Sequence, residues 1–200
     1  MQTGYPLAPP WRISHWLNTP SPLTLAALRG RVVVVHAFQM LCPACVSHGL
    51  PQAARIRELF PEEAVCVVGL HTVFEHHEVM NLEALKAFVH EYRLHFPIGI
   101  DQPPGVHSAV PLTMQAYGLQ GTPSLVLIDK AGRVRLNHFG PMDDLAAGAA
   151  IGQLSEEDCP LQNESEPAPD SGLQSAGART PDPCTSEACP SGVSGPGKVV

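Results

Sequence analysis

The sequence predicts a three-layer α/β domain on a mixed central β-sheet, followed by a disordered acidic tail. Three observations carry that expectation. The runs Arg31-Val-Val-Val-Val-His-Ala-Phe38 and Ala64-Val-Cys-Val-Val-Gly-Leu70 are apolar without polar alternation, as strands covered on both faces are. Segments of helical spacing follow each of them, so the order reads strand, helix, strand, helix, strand, hairpin, helix. After Leu154 the composition changes to seven Pro, seven Ser and five Gly in 46 residues, with no aromatic side chain.

Taken in order, Arg12 to Leu17 reads as an early strand with Ile13 on one face and Arg12, Ser14 and Trp16 on the other. Leu23 to Arg29, ahead of Gly30, is either a short helical turn or a strand end. The first buried strand follows, and then Cys42 to Phe60, with Leu50, Ala54, Ile56 and Leu59 at helical spacing and Pro51 set to bend it. Ala64 to Leu70 is the second buried strand. Asn81 is placed to cap a helix carrying Leu85, Phe88, Val89 and Tyr92. Pro97 to Ile100 is short and extended, and Met114 to Tyr117 is a helical turn. Ser124 to Ile128 and Val134 to Phe139 flank Asp129-Lys-Ala-Gly132, a tight turn that makes them a hairpin. Asp143 to Leu154 closes the domain as a helix weakened by Gly148 and Gly152. The domain is therefore residues 1–154, and residues 155–200 form the tail.

Charge and composition narrow the function. The tail holds eight Asp and Glu against Arg179 and Lys198, a net of −6, which leaves residues 1–154 near −1. A near-neutral domain without a basic stripe gives no footprint for nucleic acid. Apolar runs such as Val32 to Val35 are far too short to span a bilayer. Residues 1–30 show no charged start followed by an apolar stretch, so the expectation is a cytoplasmic protein with neither nucleic-acid nor membrane partners. The tail cannot bury enough apolar surface to offset its ordering entropy.

The chemistry-bearing motif is Cys42-Pro43-Ala44-Cys45, where a buried strand gives way to a helix. Two intervening residues place both sulfurs on one helical turn, within reach of a reversible disulfide. The positive end of the helix favours a thiolate on the exposed first cysteine. Cys42 is thus the attacking nucleophile and Cys45 the resolving thiol. A cysteine pair of this spacing also occurs in zinc knuckles, but those need a second Cys/His pair, and Cys66 stands alone in a strand.

From Leu23-Thr-Leu-Ala-Ala-Leu-Arg-Gly30 through the buried strand and CPAC, the chain resembles the thioredoxin superfamily, in its TlpA-like, redoxin branch. Phe96-Pro-Ile-Gly-Ile-Asp101 and Tyr117-Gly-Leu-Gln-Gly-Thr-Pro-Ser-Leu-Val-Leu-Ile-Asp-Lys-Ala-Gly132 continue the likeness, which spans Arg12 to Leu154. The resemblance implies a thioredoxin fold and thiol–disulfide exchange. It also implies a cis-proline at Pro123, with the backbone of Thr122 beside Cys42. The chain departs from the family pattern at Leu41 (usually Trp), His36 (a buried Asp in thioredoxins) and His48 (often Glu). Pro51 also falls one residue later than usual. Both histidines are candidates for moving protons at Cys45.

A second cluster, His71-Thr-Val-Phe-Glu-His-His77, follows the second buried strand, which should bring His71 to the same sheet edge as CPAC. His71, Glu75, His76 and His77 with the cysteines raise the alternative of a copper or zinc carrier; the simpler reading is a polar loop shaping a substrate groove. Peroxiredoxins carry Pro and Thr/Ser before the reactive cysteine where Val35 and Gln39 stand, so thiol peroxidase activity is a minor alternative, as is a non-catalytic redox sensor. The tail cysteines Cys159, Cys184 and Cys189 have no assigned role. The function expected is therefore a thiol–disulfide oxidoreductase without cofactor, acting on a protein or small-molecule disulfide or thiol and served by an electron donor.

Overall fold

The computed structural model describes residues 4–105 and 108–158. Six strands form one sheet: β1 (Ile13–Leu17), β2 (Val32–Phe38), β3 (Val65–His71), β4 (Ile98–Asp101), β5 (Ser124–Ile128) and β6 (Val134–Phe139). Their spatial order is β1-β4-β3-β2-β5-β6. Strands β2, β3 and β4 run parallel, and β1, β5 and β6 each lie antiparallel to a neighbour, so the sheet is mixed as expected. Four α-helices accompany it, α1 (Leu50–Leu59), α2 (Leu82–Glu91), α3 (Leu112–Ala116) and α4 (Asp144–Glu156).

The uninterrupted apolar runs are explained by two cores, one on each sheet face. In β2, Val32, Val34 and Phe38 face a core completed by Leu50, Ala53 and Ile56 of α1, Leu85 of α2 and Ile151 of α4. Val33, Val35 and Ala37 face the opposite core, with Leu28, Met114 and Tyr117. Each fully buried aliphatic or aromatic side chain contributes roughly 1.5–3 kcal/mol, so β2 anchors the domain from both sides. No helix among the described residues is long and apolar enough to cross a membrane.

Local chemistry sets the element ends. The Asn81 side chain accepts a hydrogen bond from the Ala84 N–H, and Asp143 accepts from Leu145 and Ala146, satisfying donors that the helices leave free. Pro51 lies in the first turn of α1, where its missing N–H costs nothing. Gly132 closes the β5–β6 turn at φ 73°, a backbone state that favours glycine.

Four expectations need correction. In β1 the register shifts between Ile13 and His15, and this irregularity puts Trp16 with Ile13 in the same core instead of on the opposite face. Leu23 to Arg29 is neither helix nor strand: consecutive turns run from Leu25 to Gly30, and only Leu28 of the segment is fully buried. Tyr92 is half exposed, stacked on Phe88 outside the core. Helix α4 continues to Glu156, two residues past the expected domain end, because Ser155 and Glu157 carbonyls accept from Lys130 Nζ and Glu157 pairs with Arg135. The expected disorder of the tail, and Cys159, Cys184 and Cys189, fall on residues 159–200, outside the described ones.

Candidate functional site

Strand β2 carries the chain to the sheet edge where the parallel strands end. There the Phe38 carbonyl accepts from the Thr72 N–H, 3.1 Å away, tying the loop after β3 to the approach to CPAC. Gln39 is buried at the turn; its side chain accepts from the Phe74 N–H at 3.3 Å and lies 3.5 Å from Glu75 Oε1. Leu41 projects into solvent at 58% exposure. Cys42 follows, half buried, and the helical segment begins at Pro43.

A disulfide joins Cys42 and Cys45, with Cα atoms 5.2 Å apart. Cys45 is fully buried, so only Cys42 can meet a partner, the asymmetry expected from the sequence. The Cys45 N–H donates to Cys42 Sγ at 3.2 Å, and Val46 N–H donates to the Cys42 carbonyl at 3.1 Å. An N–H aimed at Sγ stabilises the negative charge that this sulfur bears when the pair is reduced. From the opposite side, the Thr122 carbonyl oxygen lies 3.5 Å from Cys42 Sγ, and the Thr122–Pro123 peptide is cis. The backbone of Thr122 thus stands directly beside the accessible sulfur.

The helix that carries the cysteines is not uniform. Cys45–Gly49 is a π-helical turn, and regular α1 starts only at Leu50. A π turn holds an extra residue compared with an α turn, which accounts for Pro51 coming one residue late. Gly49 is buried in this turn; a Cβ added to it would lie 3.2 Å from Pro123 Cβ and 3.7 Å from His36 Nδ1.

The three candidate histidines occupy different surroundings. His36 sits within β2, 3% exposed, with both ring nitrogens lacking a hydrogen-bond partner. Burial holds its pKa down at about 4. His48 is exposed on the π turn, its Nδ1 2.7 Å from Ser47 Oγ. Because the Ser47 hydroxyl donates to the Pro43 carbonyl at 2.9 Å, His48 Nδ1–H is the donor to Ser47. His71 ends β3, buried, its ring centroid 5.3 Å from that of Phe38 and its Nε2 without a partner. Burial lowers its pKa to about 4 as well.

His71 reaches the expected sheet edge, in register with Phe38. It opens, however, on a pocket of about 240 Å³ shared with His15, His77, Met80 and Asn81, and the cysteines do not line that pocket. No three His, Cys, Asp or Glu side chains among the described residues are grouped to hold a metal ion. The sequence reading that gathered His71, Glu75, His76 and His77 with the cysteines is therefore corrected. The loop winds through His76 at φ 52° and spends Glu75 on Gln39, which separates the side chains.

Several contributing residues went unrecognised in the sequence. Gln52 of α1 donates from Nε2 to the Met142 carbonyl and to Asp144 Oδ1, both at 2.8 Å, and Arg55 pairs with Asp144 at 2.8 Å. These bonds fasten α1 to the start of α4 next to Pro123. Gln39 and Gly49 contribute too, without a role at this site that the sequence assigns. A polar side chain ending an apolar strand, and a glycine inside a helical pattern, were the available signals.

Residues 6–151 match the Redoxin family. Among solved structures, the chain is similar to a thioredoxin-like superfamily protein at 56% identity and TM-score 0.75, covering 77% of this chain and 99% of the other. It is similar to a thiol-disulfide isomerase from Corynebacterium glutamicum at 46% identity and TM-score 0.74, covering 78% and 99%. A thiol:disulfide interchange protein DsbE from Chlorobium tepidum shares the fold at 20% identity and TM-score 0.61, covering 76% and 96%. No curated protein matches the chain. The fold is thioredoxin-like, as the resemblance in the sequence implied.

Proposed function

The chain belongs to the Redoxin family of the thioredoxin superfamily, and from that premise we propose that it exchanges disulfides with a protein or small-thiol partner through Cys42 and Cys45. The observation that carries the reading is the asymmetry of the pair. One sulfur is accessible, receives the Cys45 N–H at 3.2 Å and faces the Thr122 carbonyl at 3.5 Å, while its bonded partner is fully buried.

In the reduced protein the Cys42 thiolate attacks one sulfur of a substrate disulfide, and the other substrate sulfur leaves as a thiolate that takes up a proton. The substrate is then joined to Cys42. Cys45, one turn along and protected from solvent, loses its proton and attacks Cys42 Sγ. The second substrate thiol departs, and the Cys42–Cys45 disulfide seen in the structure is restored. A dithiol donor reduces the pair by the reverse exchange. Thr122 and Pro123 support the substrate: the backbone of Thr122 pairs with the extended peptide that carries the target disulfide. His48, on the rim, contacts the solvent side of that complex.

Dithiothreitol-driven reduction of insulin tests the proposal. The wild-type protein should accelerate precipitation of the insulin B chain, and Cys42→Ser should fall to the uncatalysed rate. Cys45→Ser should accumulate a mixed disulfide on Cys42, visible by mass spectrometry. Equal rates for wild type and Cys42→Ser would remove the proposal.

A further inference from the structure

The exchange proposed for Cys42 and Cys45 leaves the charge of the partner open, and one carboxylate beside the cysteines bears on it. Neither segment that forms the site carries a fixed charge of its own. Residues 39–49, which hold both cysteines, and residues 118–128, which hold Thr122 and Pro123, contain no Lys, Arg, Asp or Glu. Any electrostatic preference of the site therefore comes from the elements at its flanks. Toward α4, Arg55 and Asp144 pair with each other at 2.8 Å. Asp143 accepts the N–H groups of Leu145 and Ala146 at the start of that helix. Those charges are already engaged.

On the other flank stands Glu75, in the loop after β3, and Gln39 holds it there. Gln39 is 1% exposed, a depth at which an amide needs partners. Its Oε1 accepts from the Phe74 N–H at 3.3 Å, and its Nε2 donates to Glu75 Oε1 at 3.5 Å. Its backbone carbonyl accepts from the Cys42 N–H at 3.3 Å. One residue thus ties the loop that bears the carboxylate to the turn that begins at Cys42, with a single glutamine side chain between them. Glu75 itself is exposed. Among the described residues it enters no salt bridge, whereas Glu62, Glu83, Asp129, Asp144 and Glu157 each do. A surface carboxylate left unpaired but held by a buried amide is a standing negative charge beside the reactive sulfur.

Resting on the exchange reading for Cys42 and Cys45, we propose that Glu75 sets the charge preference of that exchange. It favours disulfides that carry a cation beside the reacting sulfur, such as peptides with Lys or Arg next to the cysteine, and it disfavours acidic small disulfides. A cationic partner is attracted as it approaches and as the mixed disulfide forms, while an acidic one brings a like charge toward Glu75. The Cys42 thiolate acts in the same sense on every probe, so only a change at Glu75 isolates its share. At a separation of about 8 Å, between bulk water and protein surface, one unit charge on the partner changes the rate roughly two- to fivefold.

The test mixes the reduced protein with three small disulfides at low ionic strength: cystamine, cationic on each half; hydroxyethyl disulfide, neutral; and glutathione disulfide, anionic on each half. Each reaction oxidises the Cys42 and Cys45 thiols to their disulfide and reduces the probe to two thiols, and its rate is read by acid quenching and mass spectrometry. Dividing by the rate of dithiothreitol with the same probe removes differences in leaving group. Glu75→Gln keeps an oxygen for Gln39 and removes only the charge. It should lower the cystamine-to-glutathione rate ratio about tenfold, the product of both probes' changes, and leave the neutral probe unmoved. Glu75→Lys should lower the ratio further, and the three proteins should converge in about 1 M salt, where charges are screened within about 3 Å. Equal ratios in wild type and both variants overturn the proposal. So does a neutral probe that shifts as much as the charged ones, since Glu75 would then act through structure alone. If hydroxyethyl disulfide fails to oxidise the wild-type pair, the exchange reading itself falls, and this proposal with it.

Discussion

Lowering the pH from 7.5 to 5 should cost this protein about 4 kcal/mol of folding stability, and the loss should trace to two side chains. His36 and His71 are both held near pKa 4 by burial, against an ordinary value of 6.5. Between these values the unfolded chain binds a proton that the folded chain refuses, so stability falls as pH falls through that window. At pH 7.5 both states are neutral and the contribution to the pH dependence is nil. At pH 5 the unfolded histidine is almost wholly protonated and the folded one hardly at all. The difference amounts to about 2 kcal/mol for each residue, because every tenfold change in proton affinity is worth about 1.4 kcal/mol and pH 5 lies about one and a half tenfold steps below the unfolded pKa. Against a typical total of about 5–15 kcal/mol, that is a large fraction. Asp101 works in the opposite direction, because desolvation raises its pKa, but its hydrogen bonds from Thr113, Met114 and Thr72 oppose that rise. The assay is urea unfolding of the oxidised protein at the two pH values, for wild type, His36→Leu and His71→Leu. Each variant should lose about half of the pH dependence. A wild-type midpoint that does not move between pH 7.5 and 5 would refute the burial argument for both histidines.

Other perturbations separate rigid contacts from yielding ones. Gly49→Ala brings a Cβ to 3.2 Å from the Pro123 ring and 3.7 Å from His36, both fixed neighbours, so it should destabilise by about 1 kcal/mol or more despite the better helix propensity of alanine. Gly121→Ala meets Phe139 at 2.7 Å, but that ring is half exposed and can swing aside, so thermal unfolding should shift by under about 1 kcal/mol. Asp101→Asn turns an amide toward the N–H groups of Thr113 and Met114, which now donate at 2.8 and 2.9 Å; urea unfolding should show a loss of roughly 2 kcal/mol. Gln52→Leu removes both 2.8 Å bonds to Met142 and Asp144, and hydrogen exchange at the start of α4 should quicken while the far end of the helix stays protected.

The fold was legible where periodicity had one cause. Val32–Val35 and Val65–Leu70 are apolar without polar alternation because both faces of the sheet are covered. Asn81 and Asp143 announced their helices because a cap depends on a side chain and its next few N–H groups, all local. β1 was harder. Its register shift has no marker in Ile-Ser-His-Trp-Leu, since pairing with β4 is set by a strand more than eighty residues away. The end of α4 also escaped, as it depends on Lys130 and Arg135 reaching back from the β5–β6 hairpin.

The site divides the same way. Cys42 and Cys45 could be ranked from sequence because exposure and the helix start follow directly from their order on one turn. The histidines could not be ranked, because spacing says which strand edge they reach and nothing of which cavity they enter. His36 and His71 reach nearly the same depth and have the same depressed basicity, yet one lies against Gly49 and Pro123 and the other beside Met80 and Asn81. What distinguishes them is the sheet order: β2 lies under the cysteine turn, while β3 is one strand removed, toward β4 and β1. A histidine on β2 therefore lies against the glycine and proline that flank the cysteine turn. One on β3 shapes a neighbouring pocket, and its replacement should change stability with pH while leaving dithiothreitol-driven insulin reduction at its wild-type rate.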